Sequence, residues 1–99
     1  MIEPINKRYA ELFRTLQQVS LSSSEFAIVL VIFYLNQHEI RTSRNYLASY
    51  SHMSLRSVDA NLTTLVNRGF LVKQLHVADD RANLSTTYTI NHAAIQEAR

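Results

Sequence analysis

One glycine and one proline in 99 residues constrain this chain more than any other feature. A fold with many tight corners draws on glycine and proline to make them, so the count argues against an all-β architecture and against any glycine-rich phosphate loop. With no cysteine, disulfide frameworks, thiolate metal cages and thiol nucleophiles are also set aside. The length gives one domain spanning 1–99, with no room for a second core. Hydrophobic residues at 46% and charged residues at 18% fit a packed domain and not a disordered tract. The expectation is a small, mainly α domain. A chain this short buries well under three quarters of its unfolded surface, so self-association is a natural supplement to its stability.

The net charge of +2 is unevenly spread. Residues 41–73 hold Arg41, Arg44, Arg56, Arg68 and Lys73 against Asp59 alone; five minus one leaves +4 in that stretch. The segments on either side each come to −1. A basic middle on a near-neutral body suits a nucleic-acid reader. The longest apolar run, Phe26 to Leu35, has ten residues, against roughly 20 for a membrane span. The polar start of the chain does not read as a signal peptide, and a cytoplasmic location is expected.

Periodicity supplies the elements. Ile5, Tyr9, Leu12, Phe13, Leu16 and Val19 recur at steps of three and four, which predicts an amphipathic helix from Pro4 to about Val19. Ser22 with Glu25 three residues on is a capping box, so the β-branched run behind it is read as a buried helix and not a strand. Glu39 to Thr42 leaves space for a short extended stretch. Ser43 is placed to cap a third helix with Tyr46, Leu47 and Tyr50 on one buried face. Ser54 is placed to cap a fourth, with Val58, Leu62, Leu65 and Val66 inward and Gly69 as its left-handed stop. The period then changes to two. Phe70–Val77 and Ser85–Ile90 predict a hairpin with a long polar tip, and His92 to Ala98 a final short helix.

Between the third and fourth helices, small Ala48, a break at Ser51-His52-Met53 and the Ser54 cap form a helix-turn-helix pattern. From Ser43 to Ile90, about half the sequence, the chain resembles the winged branch of helix-turn-helix proteins. Within that branch it is similar to small MarR-like bacterial and phage regulators, and to the N-terminal domains of plasmid and phage replication initiators. The matching residues are Gly69-Phe70-Leu71-Val72 at the exit of the fourth helix, Asp80-Arg81 at the hairpin tip and Thr87-Tyr88-Thr89-Ile90-Asn91 on the returning strand. His52 stands where relatives often have glycine, and histidine tolerates a left-handed backbone better than most residues.

The resemblance implies a winged helix-turn-helix, with the helix pair at about 43–68 and the wing at about 70–90. It implies sequence-specific binding of double-stranded DNA by a transcriptional regulator acting as a homodimer. A replication or partition role, and a protein-interaction module without DNA binding, stand as alternatives. On this reading Leu55, Arg56, Ser57 and Asn61 face the bases, with Arg56 suited to guanine and Asn61 to adenine. Asp59 and Thr64 also lie outside the buried stripe, with Asp59 accepting from cytosine or orienting Arg56. Ser43, Arg44 and Lys73 would hold phosphate, and Ser54 joins the DNA-facing residues through the exposed, partly positive turn that it caps. Arg81 would enter a minor groove. Arg68 reads as a solvated charge or a phosphate contact, and Tyr46 and Tyr50 as core aromatics with wet hydroxyls.

Ile2, Ile5, Tyr9 and Phe13, helped by Ile95, form the candidate dimer interface, unless that stripe closes the monomer's own core. The four histidines have no metal-ligand spacing and the serines no nucleophile-elbow context, so no enzyme activity, metal or cofactor is expected.

Overall fold

The computed structural model describes residues 4–77 and 84–99, with the side chains of 7–75 and 86–99. Among them the chain runs α1 (Pro4–Gln17), α2 (Ser23–Gln37), α3 (Arg44–Ser51), α4 (Leu55–Asn67), β1 (Leu71–Val77), β2 (Leu84–Ile90) and α5 (His92–Ala98). The protein is mainly helical, with one two-stranded antiparallel hairpin after the fourth helix.

Local chemistry sets the helix starts. The Ser22 hydroxyl accepts from the Glu25 N–H at 3.1 Å, and the Glu25 carboxylate accepts from the Ser22 N–H at 2.8 Å. This reciprocal capping satisfies two donors that the first helical turn leaves over. Ser43 accepts from Tyr46 N–H at 3.4 Å, Ser54 from Ser57 N–H at 3.1 Å, and the Asn91 side chain from Ala94 N–H at 3.2 Å.

The stops are left-handed. His52 follows α3 at φ 60° and Gly69 follows α4 at φ 84°. Only glycine takes that conformation without a steric cost, so His52 carries strain at the corner between α3 and α4. Glu39, at φ 56°, does the same at the end of α2.

Helix α2 is the centre of the fold. It packs against α1, α3, α4 and β2, which is why it is apolar almost all round. Ile28, Val29, Ile32, Phe33 and Leu35 are buried along it. Leu12 and Leu16 of α1, Leu47 of α3, Val58, Leu62 and Leu65 of α4, and Phe70, Leu71 and Tyr88 of the hairpin close around that helix. Ala48 and Met53 pack at its edge, at the corner between α3 and α4.

Three expectations change. Tyr46 and Tyr50 are 47% and 46% exposed, and Leu47 alone is buried on α3. The i, i+4 spacing does put the two tyrosines together, but on the outer side of a helix only eight residues long. Residues 39–42 form no strand among the described residues. In its place, buried Thr42 clips the loop to β2: its hydroxyl donates to the Tyr88 carbonyl at 2.7 Å and accepts from the Tyr88 N–H at 2.9 Å. Ile95 is 1% exposed, inside the monomer core. A short helix against α1 spends its one bulky aliphatic residue on the fold, so Ile95 leaves the candidate dimer surface.

Candidate nucleic-acid interface

The stripe Val58, Leu62 and Leu65 turns one side of α4 into the core, so helical period alone decides what faces out. Arg56, Ala60, Thr63 and Asn67 follow one another at steps of four, three and four on the opposite side, and all are exposed. Ser57 and Thr64 flank that line, both exposed. Leu55 begins the helix, 39% exposed. The N-terminal turn capped by Ser54 is open to solvent. Arg56 makes no ion pair among the described residues.

Asn61 is placed differently from its expected role. It lies half-buried on the flank of α4, and its side-chain amide donates to the Ser57 carbonyl at 2.8 Å. The outward line therefore runs through Ala60, Thr63 and Asn67, which the sequence reading passed over. A helical wheel centred on the Val58–Leu62–Leu65 stripe, and not a division into stripe and remainder, would have picked them out.

Beside α4 an open groove of about 1030 Å³ separates the start of α3 from the hairpin. Arg41, Arg44 and Lys73 line it together with Glu39, Asp59 and Tyr88. Register explains Lys73: it sits opposite Tyr88 on the hairpin, and Tyr88 is buried at the base of the sheet face that meets the body. Lys73 itself is exposed and unpaired among the described residues. Arg41 was not among the expected site residues. Its signal was its place two residues before the Ser43 cap, in the basic segment.

Arg44 is where expectation and structure differ most. Its Nε and Nη2 donate to the two oxygens of Asp59 at 2.8 and 2.6 Å, a two-pronged pair that spans α3 and α4. Both side chains are nearly half exposed, at 48% and 47%. Asp59 thus holds Arg44 and not Arg56. The guanidinium's hydrogen bonds keep the Asp59 carboxyl below its usual range, while Arg44 is pushed higher still. Burial, and then the charge of Asp59, raises the Tyr88 phenol.

Arg68 is exposed but engaged, and it does not line the groove. Its Nη1 donates to the Ser20 carbonyl at 2.7 Å and lies 3.8 Å from Glu25, and its guanidinium stacks 4.5 Å over Phe70. It ties the end of α4 to the loop between α1 and α2. Ser43 is half-buried, its oxygen engaged in capping α3. Arg81 and Ile2 lie outside the described residues, as does the side chain of Ile5.

On the other side of the molecule Tyr9 and Phe13 are 42% and 40% exposed. Each is tied into the fold by one ring contact: Tyr9 to Phe33 at 6.1 Å and Phe13 edge-on to Phe26 at 5.3 Å. Among the described residues no helix is long and apolar enough to cross a membrane, and no three acidic or histidine side chains gather to hold a metal ion.

No known protein family matches the sequence, and no curated protein is significantly similar to it.

Proposed function

We propose that this chain is a sequence-specific double-stranded DNA-binding protein of winged helix-turn-helix design, acting as a transcriptional regulator. In this reading α4 enters the major groove, and β1 and β2 form the wing. One observation carries the reading: the monomer's own packing leaves the Arg56–Ala60–Thr63–Asn67 side of α4 with nothing to pack on, beside a groove that gathers Arg41, Arg44 and Lys73. An exposed recognition helix flanked by cations on neighbouring elements is the arrangement that major-groove readers use, with base contacts from the helix and phosphate contacts from its surroundings. Around this face and its groove Arg41, Arg44, Arg56 and Lys73 stand against Asp59 and Glu39, and the net +2 supports the reading.

The dimer is part of the proposal. Tyr9 and Phe13 on α1 are the residues left to build it, with Ile5 beside them in the chain and Ile95 removed. Two copies would place their recognition helices roughly 34 Å apart, matching an inverted repeat. A second reading, an interaction module without DNA affinity, draws on the exposed aromatic cluster of Tyr34, His38 and Tyr50, with ring separations of 4.4 and 6.1 Å.

Selection of duplexes from a random pool, followed by titration at several salt concentrations, tests the reading. About four to eight phosphate contacts per dimer give a log–log salt slope of roughly −4 to −7. Arg56→Ala is expected to cost about 1–3 kcal/mol on the selected site and to relax the preference at one or two base pairs. Lys73→Ala is expected to weaken selected and random duplexes alike. No binding to any duplex at low salt leaves the interaction module standing. Sedimentation is expected at twice the chain mass of 11.4 kDa, with Tyr9→Glu or Phe13→Glu shifting it to the monomer.

A further inference from the structure

Asp59 is a carboxylate on the face that, under the DNA-binding reading, meets a polyanion. A bare acid there would repel phosphate and weaken every complex equally. The geometry gives it a narrower action, because both of its oxygens are engaged by one guanidinium, at 2.8 and 2.6 Å. A guanidinium has five N–H donors in a rigid plane. Asp59 takes one from Nε and one from Nη2, which leaves one on Nη2 and two on Nη1, two of them side by side on the far edge of Arg44. That edge can hold a phosphate oxygen while the near edge stays on the carboxylate. The pair joins two different helices, so the free edge of Arg44 is fixed relative to the outward line of α4. The pair is also close to neutral as a unit. A backbone that puts no phosphate at that one position meets little net charge there.

We propose that Asp59 is a specificity-determining residue that acts through Arg44, fixing where a phosphate is accepted and cancelling the arginine's charge for any other backbone. The inference rests on the DNA-binding reading and deepens it. Arg44 then contributes less to non-specific affinity than Lys73 or Arg41, neither of which is in an ion pair among the described residues. Asp59 contributes to the difference between a cognate site and a random one.

The experiment titrates the full chain with its selected duplex and with a scrambled duplex across salt concentrations. The variants are Asp59→Asn, Arg44→Ala, Arg44→Lys and the Asp59→Asn/Arg44→Ala double substitution. Asp59→Asn keeps the side-chain shape at an exposed position, and melting curves establish that each variant is folded. Asp59→Asn is expected to tighten the scrambled duplex several-fold and to steepen its salt slope by roughly 0.9 per subunit. The selected duplex gains less, so the ratio between the two falls. In the Arg44→Ala background Asp59 is a bare acid, so Asp59→Asn is expected to tighten both duplexes alike and to leave their ratio unchanged. Arg44→Lys keeps the charge but loses the fork, so discrimination falls while the scrambled duplex is held as before.

A fall in that ratio of the same size with and without Arg44 would mean that Asp59 acts on the DNA directly and would overturn the proposal. So would an unchanged slope for Asp59→Asn while the parent binds its site normally. Failure of the parent to bind any duplex overturns the DNA-binding reading itself, and this inference with it.

Discussion

Arginine is held in opposite ways at the two ends of the α3–α4 pair. Arg68, after α4, lies over Phe70 and donates to the backbone of the α1–α2 loop, so its partners belong to the core side of the molecule. Arg44, at the start of α3, has one partner, an equally exposed carboxylate on the next helix. The first arrangement stacks a weakly hydrated cation on an apolar ring and satisfies a carbonyl, both of which stabilise a fold. The second gains little stability, because water screens an exposed pair. What it fixes is a direction for the remaining N–H donors. One region uses its cation to hold the protein together, and the other holds a cation in position at the surface.

The sharpest break of that comparison comes from the core side, where Ile95 supports the layer opposite the groove. Ile95→Ala is expected to cost about 2–5 kcal/mol of folding stability, the range for a fully buried aliphatic residue. Urea unfolding would read it as a lower midpoint with an unchanged slope. Because Ile95 is inside the monomer, the same substitution is expected to leave oligomeric state unchanged wherever the protein is still folded. A shift to monomer without loss of stability would return Ile95 to the surface.

The two arginines give the next contrast. Arg68→Ala removes a charge-assisted hydrogen bond and a cation–π contact, and is expected to cost about 1–2 kcal/mol. Arg44→Ala is expected to leave the melting temperature close to the parent's, since an exposed ion pair contributes little. Equal losses in the two variants would mean that the Arg44–Asp59 pair is structural, and the contrast between the regions would collapse.

What the sequence made legible is local. The caps at Ser22, Ser43 and Ser54 and the left-handed stop at Gly69 follow from residues within four positions of one another, the two strands of the hairpin follow from their period-two runs, and all stand where expected. What it hid lies between elements. Arg44 and Asp59 are 15 residues apart, and Thr42 and Tyr88 are 46 apart. No periodicity announces such partners; they exist only once the helices have docked. Tyr46 and Tyr50 mark an intermediate case. Their spacing identifies a shared face, yet the choice of which face points inward was made by Leu47 and by what α2 had room to receive.

The smallest expected effect separates the two regions by pH. On the core side His92 lines a cavity of about 290 Å³ with Arg8, Glu11 and Phe33, and burial lowers its pKa below the ordinary value. An unfolded histidine takes up its proton near pH 6.5, at about the usual value. Above that pH His92 is neutral in both states and costs nothing. As pH falls through that value towards the lower folded one, the unfolded chain binds the proton first, so stability declines over this window. On the groove side Asp59 is also depressed, by its bonds to Arg44. Its contribution is present above an unfolded value of about 3.9 and is lost as pH falls further. Melting temperature measured from pH 8 to pH 3 is therefore expected to show two separable components. His92→Gln should flatten the decline just below neutrality and leave the acid limb unchanged. Asp59→Asn should shrink only the acid limb, and by little, because that pair is exposed. A single variant that flattened both limbs would mean that the two regions titrate as one, against the separation that the Arg44 and Arg68 sites display.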